Sequence, residues 1–301
     1  SCAHRLLICA ALSKLPVFVS CRAASEDILA TAGCLRALGA GVRRTEEGFA
    51  VTPMDAPRRG AVLDCVESGS TLRFMLPVCA ALGTECELKL GGRLPQRPLS
   101  PLYEELICHG AVLSAQGAPG LSVSGKLRDA DFAIAGNVSS QFVSGLLLAL
   151  PIMDGGSVTV TGEAESAPYI RITAECMRKC GVGVEESGGV YRVSGGYNAP
   201  ERLAAEGDWS NAAFWLCAGA LGQNPVTVSG LDGGSVQGDR KIVDIIRSFG
   251  GRVDVSGDKA TAVPSPLRAC SVDAADVPHL VPAVSVLASA AEGETRIFNA
   301  S

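Results

Sequence analysis

Glycines that close helical segments recur along this 301-residue chain with one period, and that period restricts the folds open to it. Four apolar helical stretches end in glycine just before a β-rich run, at Gly39, Gly110, Gly181 and Gly250, spaced 71, 71 and 69 residues apart. A second series, Gly83, Gly155, Gly222 and Gly293, interleaves with the first at 72, 67 and 71. Glycine suits the C-terminal cap of a helix, where the left-handed turn costs a residue without Cβ little. Strand-like runs such as Ser157-Val158-Thr159-Val160 follow one series; paired short strands, Val182 to Glu186 and Val190 to Val193, follow the other. The module therefore reads β-α-β-α-β-β, an α/β class, and its copies must stack to bury their apolar faces. Three modules occupy residues 1 to about 203, the first without its opening strand. A fourth spans about 204 to 264, and a fifth breaks off at Ser301. The expectation is a piece cut at both ends: a three-unit domain over 1–203 and an incomplete second domain over 204–301.

Composition removes several classes. The net charge of −5 argues against nucleic-acid binding, which carries a basic excess. The longest apolar run, Phe142 to Met153, has 12 residues, short of the roughly 18 a membrane span needs. Most of the 12 cysteines sit inside apolar helical patterns, where they act as small hydrophobes. With no C-x-x-C pair and three scattered histidines, neither a disulfide framework nor a zinc site is expected, and a cytoplasmic, reducing setting fits best. The stretch His4 to Leu12 mimics a signal peptide, but the same helix-then-strand pattern returns downstream, so Ser1 reads as a start inside a helix.

The first helix of each module opens with small polar residues: Ser68-Gly69-Ser70-Thr71, Val138-Ser139-Ser140-Gln141, Asp208-Trp209-Ser210-Asn211 and Asp276-Val277-Pro278-His279. Each alone reads as an N-cap. Stacked in one orientation, they would aim several helix N-termini, with their free N–H groups and dipoles, at a bound anion. Arg5 and Arg73 fall in first turns, where a cation opposes the dipole, and Arg97 precedes a helix with proline at its first position. Three arginines at helix starts suit a fork for phosphate or carboxylate. Tyr169, after Pro168, serves equally as a ligand contact or as edge packing.

These segments occur in order as Ser68-Gly69-Ser70-Thr71-Leu72-Arg73, Gln96-Arg97-Pro98-Leu99, Gly136-Asn137-Val138-Ser139-Ser140-Gln141-Phe142, Ser166-Ala167-Pro168-Tyr169-Ile170, Glu206-Gly207-Asp208 and Gln237-Gly238-Asp239. Over essentially the whole chain they resemble the 5-enolpyruvylshikimate-3-phosphate synthase family. The resemblance implies the enolpyruvyl transferase fold, an inside-out α/β barrel of six units with the active site between two domains, of which about four and a half units are present here. It implies transfer of the enolpyruvyl group of phosphoenolpyruvate to the 5-hydroxyl of shikimate 3-phosphate, with no metal and no cofactor. It further implies small-molecule substrates only, without nucleic acid or membrane, and a monomer at full length. By position, Ser1, Arg5, Ser139, Ser140, Gln141, Ser166, Tyr169 and His279 would hold shikimate 3-phosphate. Gly69, Arg97 and Gln141 would hold phosphoenolpyruvate, with Arg73 in support.

The chain departs from the family pattern in three places that bear on the site and in one more. The family's lysine falls before Ser1, where the sequence starts too late to include it, and its Lys-Glu-x-Asp-Arg segment with later basic ligands would lie beyond Ser301. His279 stands at the family's proton-acceptor aspartate. An imidazole can take that proton near neutral pH, yet a structural histidine fits as well, and Asp276 is a substitute or a plain N-cap. Glu67 also replaces a common asparagine. Two alternatives accompany the main reading: a UDP-N-acetylglucosamine enolpyruvyl transferase, and a catalytically incomplete anion-binding fragment.

Overall fold

The computed structural model describes residues 2–162 and 167–300. The chain opens with α1 (Cys2–Ala11), β1 (Val17–Ser20), α2 (Glu26–Leu38), β2 (Gly41–Arg44) and β3 (Gly48–Thr52). A full module follows: β4 (Ala61–Asp64), α3 (Gly69–Leu82), β5 (Cys86–Lys89), α4 (Leu102–Cys108), β6 (Ala111–Leu113) and β7 (Gly120–Gly125). The third repeats it with β8 (Asp131–Ala135), α5 (Ser140–Ala149), β9 (Gly155–Thr161), α6 (Ala167–Lys179), β10 (Gly183–Ser187) and β11 (Val190–Ser194). After β12 (Arg202–Ala204) come α7 (Trp209–Leu221), β13 (Val226–Ser229), α8 (Ile242–Ser248), β14 (Arg252–Ser256) and β15 (Lys259–Val263), then β16 (Ser271–Asp273), α9 (Val281–Ala290) and β17 (Arg296–Phe298). The order β-α-β-α-β-β is the one the glycine period predicts.

Three four-stranded sheets share one plan. In β4-β5-β7-β6 and β8-β9-β11-β10, the first pair is parallel and the remaining pairs antiparallel. The first sheet has the same plan in the order β12-β1-β3-β2. Its opening strand, expected to be missing, is supplied by β12, which runs parallel to β1 with Phe18 opposite Arg202 and Val19 opposite Leu203. Residues near 204 thus complete the first module instead of opening the fourth. The Arg202 guanidinium lies 5.2 Å from the centre of the Phe18 ring, a cation–π contact between register partners.

By contacts, the described chain divides into two compact units, one of residues 2–162 and 173–205, the other of 167–172 and 206–300. In the first, the opening helix of each module goes inside: α1 is buried along its whole length, and α3 and α5 nearly so. Helices buried all round are apolar all round, which explains Leu6-Leu7-Ile8 and Leu146-Leu147-Leu148. Ser68 and Ser139 cap α3 and α5, and Gly39 and Gly83 close α2 and α3 at φ of 117° and 65°. Gly222 is the exception in the glycine series, extended at φ −76°. The second unit packs Trp209, Leu216, Phe249, Leu280 and Leu287 beside a three-stranded sheet, β13-β15-β14, and a parallel pair, β16-β17. Among the described residues, no helix is long and apolar enough to cross a membrane.

Candidate functional site

In the first unit the starts of α3 and α5 lie side by side. Arg73 Nη1 donates to Gln141 Oε1 at 2.7 Å, and Gln141 Nε2 donates to Ser70 Oγ at 3.0 Å. Two local features allow this approach. Pro77 has no N–H to offer the carbonyl four residues earlier, that of Arg73. Facing that carbonyl is Gly145, where a Cβ would collide with Arg73 O and come within 3.1 Å of Pro77 Cγ. The start of α3 is fixed by a buried ladder of polar groups: His4 Nδ1 to Thr31 Oγ1, Thr31 to Thr71 and Thr71 to Ser68, each 2.8 Å.

Gly69 opens α3, and its lack of a side chain admits two guanidinium groups. A Cβ there would lie 3.0 Å from Arg97 Nη1 and 3.5 Å from Arg73 Nη1. Burial, and then the neighbouring Arg97 charge, lower the pKa of Arg73, though a guanidinium stays charged at neutral pH. Arg73 also rides over the Phe142 ring at 5.3 Å, and its Nε is buried without a hydrogen-bond partner among the described residues. Among the described residues, neither arginine has a carboxylate at ion-pair distance. Two adjoining cations at a helix start, where free N–H groups and the dipole add positive potential, form a place for an anion.

Arg5 is only 4% exposed. Its Nε donates to Thr173 Oγ1 at 2.6 Å, Thr173 donates to Ser144 Oγ at 2.8 Å, and its guanidinium lies 4.8 Å from the Phe74 ring centre. Ser139 accepts from Gln141 N at 3.3 Å, as an N-cap does, and Ser140 is buried beside it. Arg97 does not precede a helix, as its proline neighbour suggests. It ends a 3-10 turn, Leu94–Gln96, and α4 begins only at Leu102.

The second unit holds another cluster. Tyr169 OH donates to Asp239 Oδ2 at 2.7 Å and meets His279 Nδ1 at 2.8 Å, with the two rings 4.9 Å apart. Ser210 Oγ donates to the same Asp239 oxygen at 2.5 Å. Burial first, then the Asp239 charge, push the Tyr169 phenol above its ordinary pKa. His279 sits in a 3-10 turn, Pro278–Leu280, ahead of α9, not in the helix itself, and its ring is exposed. Asp276 caps nothing: Val277 precedes that turn and no side chain bonds its N–H groups. Glu67 is exposed.

Ser1 and Ser166 lie outside the described residues. The structure adds Ser70, Ser144 and Thr173 in the first unit, and Ser210 and Asp239 in the second. Thr173 follows Tyr169 by one helical turn, and Ser144 follows Ser140 likewise; such spacing was the only available signal. Among the described residues, no three His, Cys, Asp or Glu side chains gather closely enough to hold a metal ion.

Comparisons with known proteins agree on the class. The fold is shared with "EPSP Synthase from acinetobacter baumannii" (TM-score 0.77, 20% identity, 98% of this chain and 70% of that one). It is shared also with the enolpyruvyl transferase NikO from Streptomyces tendae (TM-score 0.74, 19% identity, 98% and 72%). This is the architecture of the enolpyruvyl transferases. The family model for EPSP synthase (3-phosphoshikimate 1-carboxyvinyltransferase) matches residues 1–301. The enzyme of that name from Clostridium kluyveri is 37% identical over 308 residues, covering 100% of this chain and 72% of its own length. That from Brachyspira hyodysenteriae is 33% identical, covering 99% and 72%. The chain belongs to the EPSP synthase family, a family of transferases. The family's reaction is enolpyruvyl transfer from phosphoenolpyruvate to 3-phosphoshikimate in the shikimate pathway.

Proposed function

We propose that this chain serves the family reaction through the paired arginines at Gly69 and the Tyr169–His279 pair. The observation that carries the reading is the convergence of Arg73 and Arg97 on the start of α3 with no carboxylate at ion-pair distance among the described residues. Gly69, Arg97 and Gln141 hold phosphoenolpyruvate, whose phosphate and carboxylate suit guanidinium forks, and Arg73 supports them through Gln141. Arg5, Ser139, Ser140, Gln141 and Tyr169 hold shikimate 3-phosphate, and the family motif extends that role to Ser1 and Ser166.

His279 takes the proton of the 5-hydroxyl as its oxygen adds to C2 of the enol, while C3 takes a proton from a general acid, which takes one back in the elimination. The tetrahedral intermediate then loses phosphate from C2 and a proton from C3, restoring the double bond. Holding both anions in register and stabilising charge as it shifts are the main catalytic contributions. Tyr169 keeps its phenol proton, which suits it to hydrogen bonding and not to general-base work. We assign a three-unit domain that ends just after β12 and an incomplete second domain beyond it to a cytoplasmic protein that is monomeric at full length.

Phosphate release with phosphoenolpyruvate plus either shikimate 3-phosphate or UDP-N-acetylglucosamine tests the reading. Release is expected with the first acceptor alone, and release with the second would overturn it. Shikimate 3-phosphate binding without release would mark the chain as an anion-binding protein.

A further inference from the structure

We propose that Asp239 is a positioning residue that, through Tyr169, fixes which nitrogen of His279 carries the hydrogen. The inference rests on the proposed role of His279 as proton acceptor and supplies what that role requires. A tyrosine has one proton to give. Asp239 Oδ2 takes it at 2.7 Å and also accepts from Ser210, so that carboxylate oxygen acts wholly as an acceptor. Tyr169 oxygen can then meet His279 Nδ1, 2.8 Å away, only by accepting from it. Nδ1 therefore bears the hydrogen, and in the neutral ring Nε2 bears the lone pair. Nε2 belongs to an exposed ring and has no hydrogen-bond partner among the described residues.

The setting of Asp239 supports the assignment. The residue is 1% exposed, and its second oxygen, Oδ1, is buried with no hydrogen-bond partner among the described residues. A carboxylate kept in such a place is costly unless its orientation serves something. The motif Gln237-Gly238-Asp239 holds it there: Gln237 is buried, its amide donating to Gly207 O at 2.9 Å and its oxygen accepting from Trp209 N at 3.0 Å. When Nε2 takes the proton of a substrate hydroxyl, the O–H bond breaks and an N–H bond forms. The oxygen pair is left for the new bond to carbon, and Nδ1–H stays on Tyr169.

Nitrogen-15 spectra of the full chain labelled at histidine read the tautomer directly. Only His4, His109 and His279 contribute, and a His279→Gln variant assigns the third. At mildly alkaline pH, the His279 signals should show a protonated Nδ1 and an unprotonated Nε2; the opposite pattern would overturn the proposal. In Asp239→Asn the amide donates toward Tyr169, whose proton turns to His279, so the majority tautomer should invert. An unchanged ring would overturn the proposal. Ser210→Ala removes a hydroxyl that bonds Asp239 and Tyr169 but keeps the Tyr169–Asp239 bond, so it should keep the wild-type pattern, and inversion there as complete as in Asp239→Asn would also overturn the proposal. Should Asp239→Asn fail to fold, Tyr169→Phe removes the acceptor and should give mixed tautomers, an undisturbed Nδ1–H ring being the contrary result. Turnover separates this inference from the reading beneath it. Inversion in Asp239→Asn with a kcat loss of at least about tenfold supports both, whereas inversion with full turnover keeps the relay and removes His279 as the acceptor.

Discussion

Arg73 donates to the side-chain oxygen of Gln141 across 2.7 Å, tying the first turns of α3 and α5. The bond aims one nitrogen of a half-buried cation at a neutral acceptor, and among the described residues no carboxylate compensates its charge. Gln141→Glu should keep the fold, because a carboxylate accepts the same bond and can accept from Ser70 as well. It should nevertheless neutralise Arg73 and weaken phosphoenolpyruvate binding by at least about tenfold, since a like charge set beside an anion is repulsive. Calorimetric titration beside a thermal melt checks both halves, and undiminished affinity would remove Arg73 from the anion's surroundings.

Arg97 contributes its charge at Gly69 with no acidic partner among the described residues. Arg97→Ala should weaken phosphoenolpyruvate binding by about 2–4 kcal/mol, the scale for losing one partner of a covered charge pair. Folding stability should barely move, because the side chain is exposed. An unaltered dissociation constant would place the anion elsewhere.

Gly145 faces the Arg73 carbonyl that Pro77 leaves free. Gly145→Ala should force α3 and α5 apart and destabilise the chain by about 1–3 kcal/mol, as overpacking does. Urea unfolding should show a lower midpoint at an unchanged slope. Wild-type stability in this variant would contradict the close approach.

The thiols sort by burial. Cys108 is exposed and Cys270 partly so, while the other ten are buried; burial pushes the Cys217 thiol up to about 12. Native chain titrated with a disulfide reagent near pH 8 should modify Cys108 first and Cys270 next, the remaining ten reacting only on unfolding. Rapid reaction of many thiols would show a looser interior than the packing of α1, α3 and α5 describes.

The module was readable from sequence because its signals are local: a capping serine at one helix end, a glycine at the other, and β-rich runs between. The origin of the first sheet's fourth strand was not, since Arg202–Ala204 carries no mark of the strand it will lie beside. Arg97 was misplaced because proline suits a 3-10 turn, a loop and a helix start alike. Helix α7 is apolar on every side, so no periodicity announces that Trp215 is 63% exposed and Trp209 fully buried. At the site, Ser139 and Gln141 could be found because an N-cap has a spacing. Asp239 belongs to a glycine–aspartate turn that looks ordinary until Tyr169 and Ser210 are seen bonded to it.

The pairing of β12 with β1 has a bearing on synthesis. A nascent chain leaving the ribosome carries Val17–Ser20 with one bare flank until Arg202–Ala204 emerges to cover it. Truncation anywhere upstream of that stretch leaves a sticky parallel edge beside Phe18, so shortened translation products should clump while the longer polypeptide stays dispersed.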